Sequence, residues 1–222
     1  MTSLAVDAVF VGRPSVLGST GGRPVLSGIV KQPSAADELE LAWENLDGDE
    51  QADLSVHGGP DKAVYVYPSE HYPAWNAGGY ELVVGAVGEN VSVTGADESQ
   101  VRVGDRWSWG TAEVEVSQPR SPCYKLGMRV GRKDVIPAML KSVRCGWYLR
   151  VLRPGRVPTT GSMTLLERDP QAPTIADLHA AAHYRPAPGQ EQAYRDLVEY
   201  ALARPELAES WRGMLRHRLA RP

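Results

Sequence analysis

The sequence predicts a mainly β fold of the α+β class: a barrel or sandwich of short strands over residues 1–168, then a small three-helix unit over 169–222. Three observations carry this. Glycine (22) and proline (17) are frequent in a chain of 222 residues, which favours many turns and short strands over long helices. The first part alternates short apolar runs with turn residues. After Pro170 the pattern changes to apolar residues at helical spacing, punctuated by prolines.

Taken in order, LAVDAVFVG (4–12) and GIVK (28–31) are strand-like. The acidic stretch 35–46 is compatible with a helix, its charges being most simply a solvated face. KAVYVYP (62–68) alternates Val64 and Val66 with Tyr65 and Tyr67, the pattern of a half-buried strand. DRWSWGTAEVEV (105–116) reads as a hairpin turning near Gly110, residues 132–142 as a helix, and GWYLRVL (146–152) as a strand ending at Pro154-Gly155. In the tail, Thr174 and Asp177 have capping-box spacing ahead of one helix. QEQAYRDLVEYALAR forms a second, stopped by Pro205. PELAESWRGMLRHRLA forms a third with Pro205 in its first turn and Arg212, Arg216 and Arg218 toward its C-terminal end, where the helix dipole favours them.

Net charge is only −3, but it is unevenly spread. Ten cations lie between Gln118 and Arg156 against one acid, Asp134, so that window carries +9 and the remainder −12. Such a window favours an anionic ligand, or is simply a solvated cationic face. No apolar run approaches the ~18 residues of a membrane span. The start of the chain lacks the basic region of a signal peptide, and two cysteines cannot build a disulfide framework. A cytoplasmic setting, with no membrane and no nucleic acid as partner, is the expectation. Nucleic-acid binding would need a basic face interleaved with aromatics, which the chain does not repeat.

Most motifs of catalysis are missing. GRPSVLGST and VGRKD lack the GxxxxGK followed by Ser or Thr of a phosphate loop, and HExxH and GxSxG are absent. His179 and His183, four apart on the first tail helix, could face one metal, but two histidines without a third ligand more simply pack. HGGPDK (57–62) makes a tight turn before a strand and can bring backbone close to a ligand. GENVSVTG (88–95) is a turn into a strand. Cys123, in SQPRSPCYKL, follows a strand, is framed by Pro119 and Pro122, and has Arg120 and Lys125 beside it. Neighbouring cations favour the thiolate, a nucleophile and a ligand for soft metals, although a lone cysteine is also a good small hydrophobe. Cys145 has Arg144 beside it but no proline framing, and no role is assigned to it.

Four stretches in this order, GDEQADLSVHGGPDKAVYVYPSEHYPAW, GAVGENVSVTG, VSQPRSPCYKL and GWYLRVLRPG, resemble MOSC-domain proteins of the bacterial YiiM type, and the resemblance covers nearly the whole chain. It implies a closed, mostly antiparallel β-barrel with a few helices and a C-terminal three-helix domain. It also implies molybdenum cofactor, a pterin dithiolene bearing a phosphate, and reduction of N-hydroxylated compounds such as 6-hydroxylaminopurine and amidoximes. Cys123 falls on the family's essential cysteine, implying a metal ligand. Asn90 and Glu89 of GEN, and His57 with Gly58 and Gly59 of HGG, are implied to line the cofactor pocket. Arg120 and Lys125 are the choices for the cofactor's anionic parts, on charge. No flavin or iron–sulfur motif is present, so a separate electron-donating reductase is implied, and a barrel edge or the tail could pair in a homodimer. Two other roles stay open: a sulfur-handling protein with a persulfide on Cys123, and a non-catalytic carrier of the cofactor. The namesake sulfurase's pyridoxal-phosphate domain has no room here, so neither Lys62 nor Lys125 is read as a Schiff-base lysine.

Overall fold

The computed structural model describes residues 2–53 and 58–220. Its strands are β1 (Ser3–Val11), β2 (Ser15–Thr20), β3 (Arg23–Ser27), β4 (Gln32–Pro33), β5 (Glu38–Leu41) and β6 (Val64–Pro68). They continue with β7 (Val91–Thr94), β8 (Arg106–Trp109), β9 (Ala112–Pro119), β10 (Trp147–Arg153), β11 (Gly155–Pro158) and β12 (Gly161–Glu167). The helices are α1 (His71–Ala77), α2 (Tyr124–Val130), α3 (Val135–Ser142), α4 (Ile175–His183), α5 (Glu191–Ala203) and α6 (Glu209–Leu219).

Seven strands close into a mixed barrel in the order β12-β8-β9-β10-β6-β7-β1, with β1 pairing back onto β12 (Ser3↔Thr164). Every pair is antiparallel except β6–β7 (Val66↔Val91). That parallel pair needs a crossover, which α1 and the following loop supply. Closure leaves no open edge along the main sheet. Trp107, Trp109 and Trp147, all fully buried, anchor the core, and removing one such side chain costs about 3–5 kcal/mol.

The structure departs from the sequence reading at several elements. KAVYVYP is not half-buried: all of Val64–Pro68 is buried. The valine face packs into the core, and Tyr67 on the other face meets Tyr72 and His71 of α1 edge-on and accepts a hydrogen bond from Trp75 Nε1 at 2.6 Å. GIVK (28–31) is an irregular segment between β3 and β4. A Cβ on Gly28 would lie 2.4 Å from the Glu50 carbonyl oxygen, so the backbone is pressed against its neighbour and not paired in a ladder. The acidic stretch 35–46 contains β5 instead of a helix. Glu38 and Glu40 point outward while Leu39 and Leu41 turn in, a period of two, and the strand pairs with β11. A further hairpin, β2–β3, absent from the sequence reading, turns at Gly21-Gly22 with both φ positive (57° and 75°). The hairpin β8–β9 turns at Gly110 as expected.

The helix expected at 132–142 forms as α3, and a further helix the sequence reading lacks, α2, precedes it and ends at Gly131 in the left-handed region (φ 75°). In the tail the capping box forms as read: Thr174 Oγ1 accepts from Asp177 N at 3.0 Å, and Asp177 Oδ2 accepts from Thr174 N at 3.0 Å. Pro205 does not open the last helix. It sits in a turn ahead of it, and α6 begins at Glu209 after Ala208 N–H has bonded to the Ser117 carbonyl of β9 at 3.1 Å. The three tail helices share a second apolar cluster, including Leu178, Val198, Trp211 and Leu215, which Val103 from the barrel side joins.

Candidate active site

One cleft gathers residues from six stretches of chain. Ser27, Gly28, Ile29 and Lys31 form one wall, Glu50, Gln51 and Ala52 another, and Val87, Gly88 and Asn90 a third. Lys62, Tyr65 and Tyr148 come from the barrel strands and their approach, and Arg120, Ser121, Cys123 and Lys125 from the segment after β9. With its open mouth, and the solvent space there included, the cleft encloses about 670 Å³ of atom-free space.

Cys123 stands where β9 has ended at Pro119, a residue that cannot donate to the sheet ladder. It occupies the residue before α2 in an extended conformation (φ −120°, ψ 170°), and its carbonyl accepts from Leu126 N at 3.0 Å. The thiol is half-buried and free of any disulfide. Arg120, three residues earlier, is buried, with 5% of its surface exposed. Its guanidinium lies 5.3 Å from the Tyr65 ring centroid and reaches Met139 Sδ of α3 at 2.9 Å. Burial alone would lower its pKa, but the Tyr65 and Tyr148 hydroxyls and the two thiols around it raise it above its ordinary value. No carboxylate among the described residues forms an ion pair with it. Its charge rests instead against the Tyr65 ring, Met139 Sδ and the Tyr148 hydroxyl.

The GEN motif divides its labour. Gly88 (φ 86°) is needed because a Cβ there would lie 2.5 Å from Ile29 Cγ1. Glu89 does not line the cleft. It is fully buried, and its Oε1 accepts from Tyr72 O–H, from Gly85 N at 2.8 Å and from Ser92 Oγ at 3.0 Å. Burial raises its pKa above the usual carboxylate value. Asn90 lines the cleft with its amide already engaged: Oδ1 accepts from Tyr65 N at 3.1 Å, and Nδ2 donates to Asp49 Oδ2 at 2.9 Å and Phe10 O at 3.3 Å. Asp49 in turn holds Gly12 N at 3.0 Å and the Lys31 ammonium. Burial pulls Lys31 below the ordinary lysine range, and the Asp49 charge only partly offsets it. Neither Asp49 nor Lys31 was singled out from the sequence. GDEQ and GIVK carry no pattern that marks a buried ion pair.

His57 lies outside the described residues. Gly58 and Gly59 are not among the cleft's lining. Gly59 (φ 91°) instead opens a 3-10 turn at Pro60–Lys62, which delivers Lys62 to the cleft. Burial lowers the Lys62 pKa. The +9 window proves to be two regions. Arg150, Arg153 and Arg156 on β10 and β11 are paired, with Asp61 and Glu115, with Glu113, and with Glu38 respectively. Between 120 and 144 only Arg132 has a carboxylate partner among the described residues, Asp134 at 2.6 Å.

Cys145 is fully buried, and burial raises its thiol well above the ordinary cysteine value. His179 and His183 pack against each other with ring centroids 4.5 Å apart. His179 Nε2 donates to the Leu140 carbonyl of α3 at 2.9 Å, so the pair joins the tail to the barrel.

The site is thus a cysteine-bearing, cation-lined cleft at the side of a closed mixed barrel. The family model of the MOSC domain matches residues 53–163. YiiM of Escherichia coli (strain K12) is 39% identical over 188 residues, 82% of this chain and 81% of that protein. A protein of Gibberella moniliformis named reductase is 37% identical over 158 residues, 68% of this chain and 27% of that protein. The crystal structure of YiiM from Geobacillus stearothermophilus matches with a TM-score of 0.78 at 31% identity, covering 98% of this chain and 100% of that one. The chain belongs to the MOSC-domain family and, within it, to the YiiM type.

Proposed function

We propose that the chain is a molybdenum cofactor-dependent oxidoreductase that reduces N-hydroxylated compounds, purine bases such as 6-hydroxylaminopurine and amidoximes, to the corresponding amines and amidines. The observation that carries the reading is the half-buried Cys123 thiol sharing a cleft with Arg120, Lys125, Lys31 and Lys62, where Arg120 is buried with no carboxylate partner among the described residues. MOSC domains are associated with molybdenum cofactor, a pterin dithiolene with a phosphate, and that donor set fits an anionic group that takes a thiolate. Kinship to a protein named reductase supports redox chemistry.

The residues would act as follows. Cys123 offers the metal ligand, and the cleft cations receive the anionic parts of the cofactor. Tyr65 and Tyr148, packed on each other with ring centroids 5.3 Å apart, form one side of the cleft against which a flat substrate can lie. Asn90 and Glu89 hold the wall itself. When bound, the cofactor supplies the two-electron chemistry, and the protein orients the substrate and limits access of water. The net change is R–NHOH plus two electrons and two protons to R–NH₂ and water. A separate reductase supplies the electrons, and the thiolate role suits a reducing, cytoplasmic compartment.

Expression in a host that makes the cofactor, followed by metal and pterin analysis, is the test. About one molybdenum per chain and reduction of an amidoxime with reduced viologen are expected. No molybdenum and one added sulfur on Cys123 would replace this reading by a sulfur-handling one. A loaded chain that is inert to all such substrates, yet passes its cofactor to an apo-enzyme, would make it a carrier.

A further inference from the structure

The arginines of β10 and β11 are neutralised by acids on neighbouring strands, but the cations of the α2–α3 segment are not. Among the described residues, Lys125, Arg129, Lys133, Lys141 and Arg144 form no ion pair with a carboxylate, and the only acid of the segment, Asp134, is taken by Arg132. Lys133 and Lys141 are exposed at the two ends of α3, and Tyr124 beside Cys123 is 55% exposed. Gly127 of α2 packs against the Lys133 backbone, so the two helices form one face. That face joins the cleft at Lys125 and through Met139, which touches Arg120. A chain of net charge −3 thus keeps a concentrated positive face around the residue proposed as metal ligand.

We propose that this α2–α3 face is the docking surface for an acidic electron-transfer protein, which delivers electrons at the Cys123 edge of the cleft. The inference rests on the reductase reading, because that reaction consumes two electrons per turnover and needs a donor. Unpaired like charges steer an oppositely charged partner and raise its encounter rate without large buried area, which suits a transient electron-transfer contact. An exposed aromatic at the rim offers apolar contact in the docked state. An acidic protein is favoured over nucleic acid because the patch is compact, confined to two short helices, and adjoins the cleft where the electrons are used.

The experiment uses the full chain and reduced flavodoxin, an acidic flavin protein, as the probe. Lys133→Glu/Lys141→Glu changes only exposed side chains away from the cleft, and Lys133→Gln/Lys141→Gln gives the neutral version should the reversal misfold. Flavodoxin binding is titrated at low and high salt. In the loaded protein, turnover is compared with flavodoxin and with reduced viologen, a small donor that needs no docking. The reversal should weaken flavodoxin binding about tenfold or more and flatten its salt dependence. The neutral pair should have a smaller effect, and viologen-driven turnover should not change. Unaltered affinity and salt slope in both variants overturn the proposal. So does an oligonucleotide that binds the wild-type chain as tightly as flavodoxin and loses affinity in the same variants. The binding arm does not depend on reduction of any N-hydroxylated substrate, so failure of the reductase reading and failure of the docking surface remain distinguishable.

Discussion

The two cysteines stand at either end of the α2–α3 segment, and Arg120 acts electrostatically on both, yet their surroundings are opposite. Cys123 is half-buried in the lining of a cation-lined cleft. Cys145 is sealed. Its carbonyl accepts from Tyr65 O–H at 2.8 Å, and the next residue, Gly146 (φ 67°), lies so close to β6 that a Cβ would come within 2.3 Å of the Val66 carbonyl oxygen. A nearby cation makes a thiol useful only where solvent or a ligand can reach it. At Cys145 desolvation overrides the cation.

The largest expected effect is on the open side. Cys123→Ser removes a soft thiolate, and viologen-driven reduction by the loaded protein should fall by several orders of magnitude. The stability cost should be no more than about 1–2 kcal/mol. Retained activity would break the comparison outright.

Next comes the framework beneath the cleft. Asp49→Ala strands the Lys31 ammonium, whose side chain is 7% exposed, and unfolding by urea should show a loss of about 3–5 kcal/mol. Adding Lys31→Met should restore the part due to the stranded ammonium, leaving the cost of Gly12 N and Asn90 Nδ2 without their acceptor.

On the sealed side, Cys145→Ser should cost about 1–3 kcal/mol for a buried hydroxyl and leave activity within a few-fold. Iodoacetamide should label Cys123 in the native protein and Cys145 only on denaturation. Labelling of both in the folded state would show that Cys145 is not sealed.

The smallest effect lies away from both thiols. Burial first, then His179 and Arg218, lowers His183 from its ordinary value to about 4. Its folded pKa is depressed, so the unfolded chain binds the proton more readily. Its stabilising contribution is therefore complete above about pH 6.5 and is lost as pH falls toward 4. Melting temperature should drop across that window, and less so in His183→Gln.

The barrel and the tail were legible because their signals are local. Alternation in DRWSWGTAEVEV, the glycine turn at Gly110 and the Thr174–Asp177 box each act within a few residues. The misreadings occur where distant contacts override local pattern: GIVK flattened against Glu50, the tyrosine face of β6 covered by α1, α6 delayed until the chain has bonded to Ser117. In the site, Cys123, Arg120 and Lys125 were nameable from proline framing and charge, and Asn90 only through the family resemblance. Asp49 and Lys31 were not, because a salt bridge between residues 18 apart leaves no periodic trace. The charge window misled by its evenness: sequence counts cations, and only the fold shows which ones have found an acid.

β1 has a consequence for how the chain is made. It pairs with β7 through Ala5↔Thr94 and with β12 through Ser3↔Thr164. During synthesis from the N-terminus, the first strand waits for most of the chain before its second partner exists. Until β12 leaves the ribosome, one flank of β1 is an unpaired, alternately apolar edge of the kind that joins strands of other chains. Aggregation of nascent or truncated chains, more than loss of the finished barrel, is the hazard this topology carries.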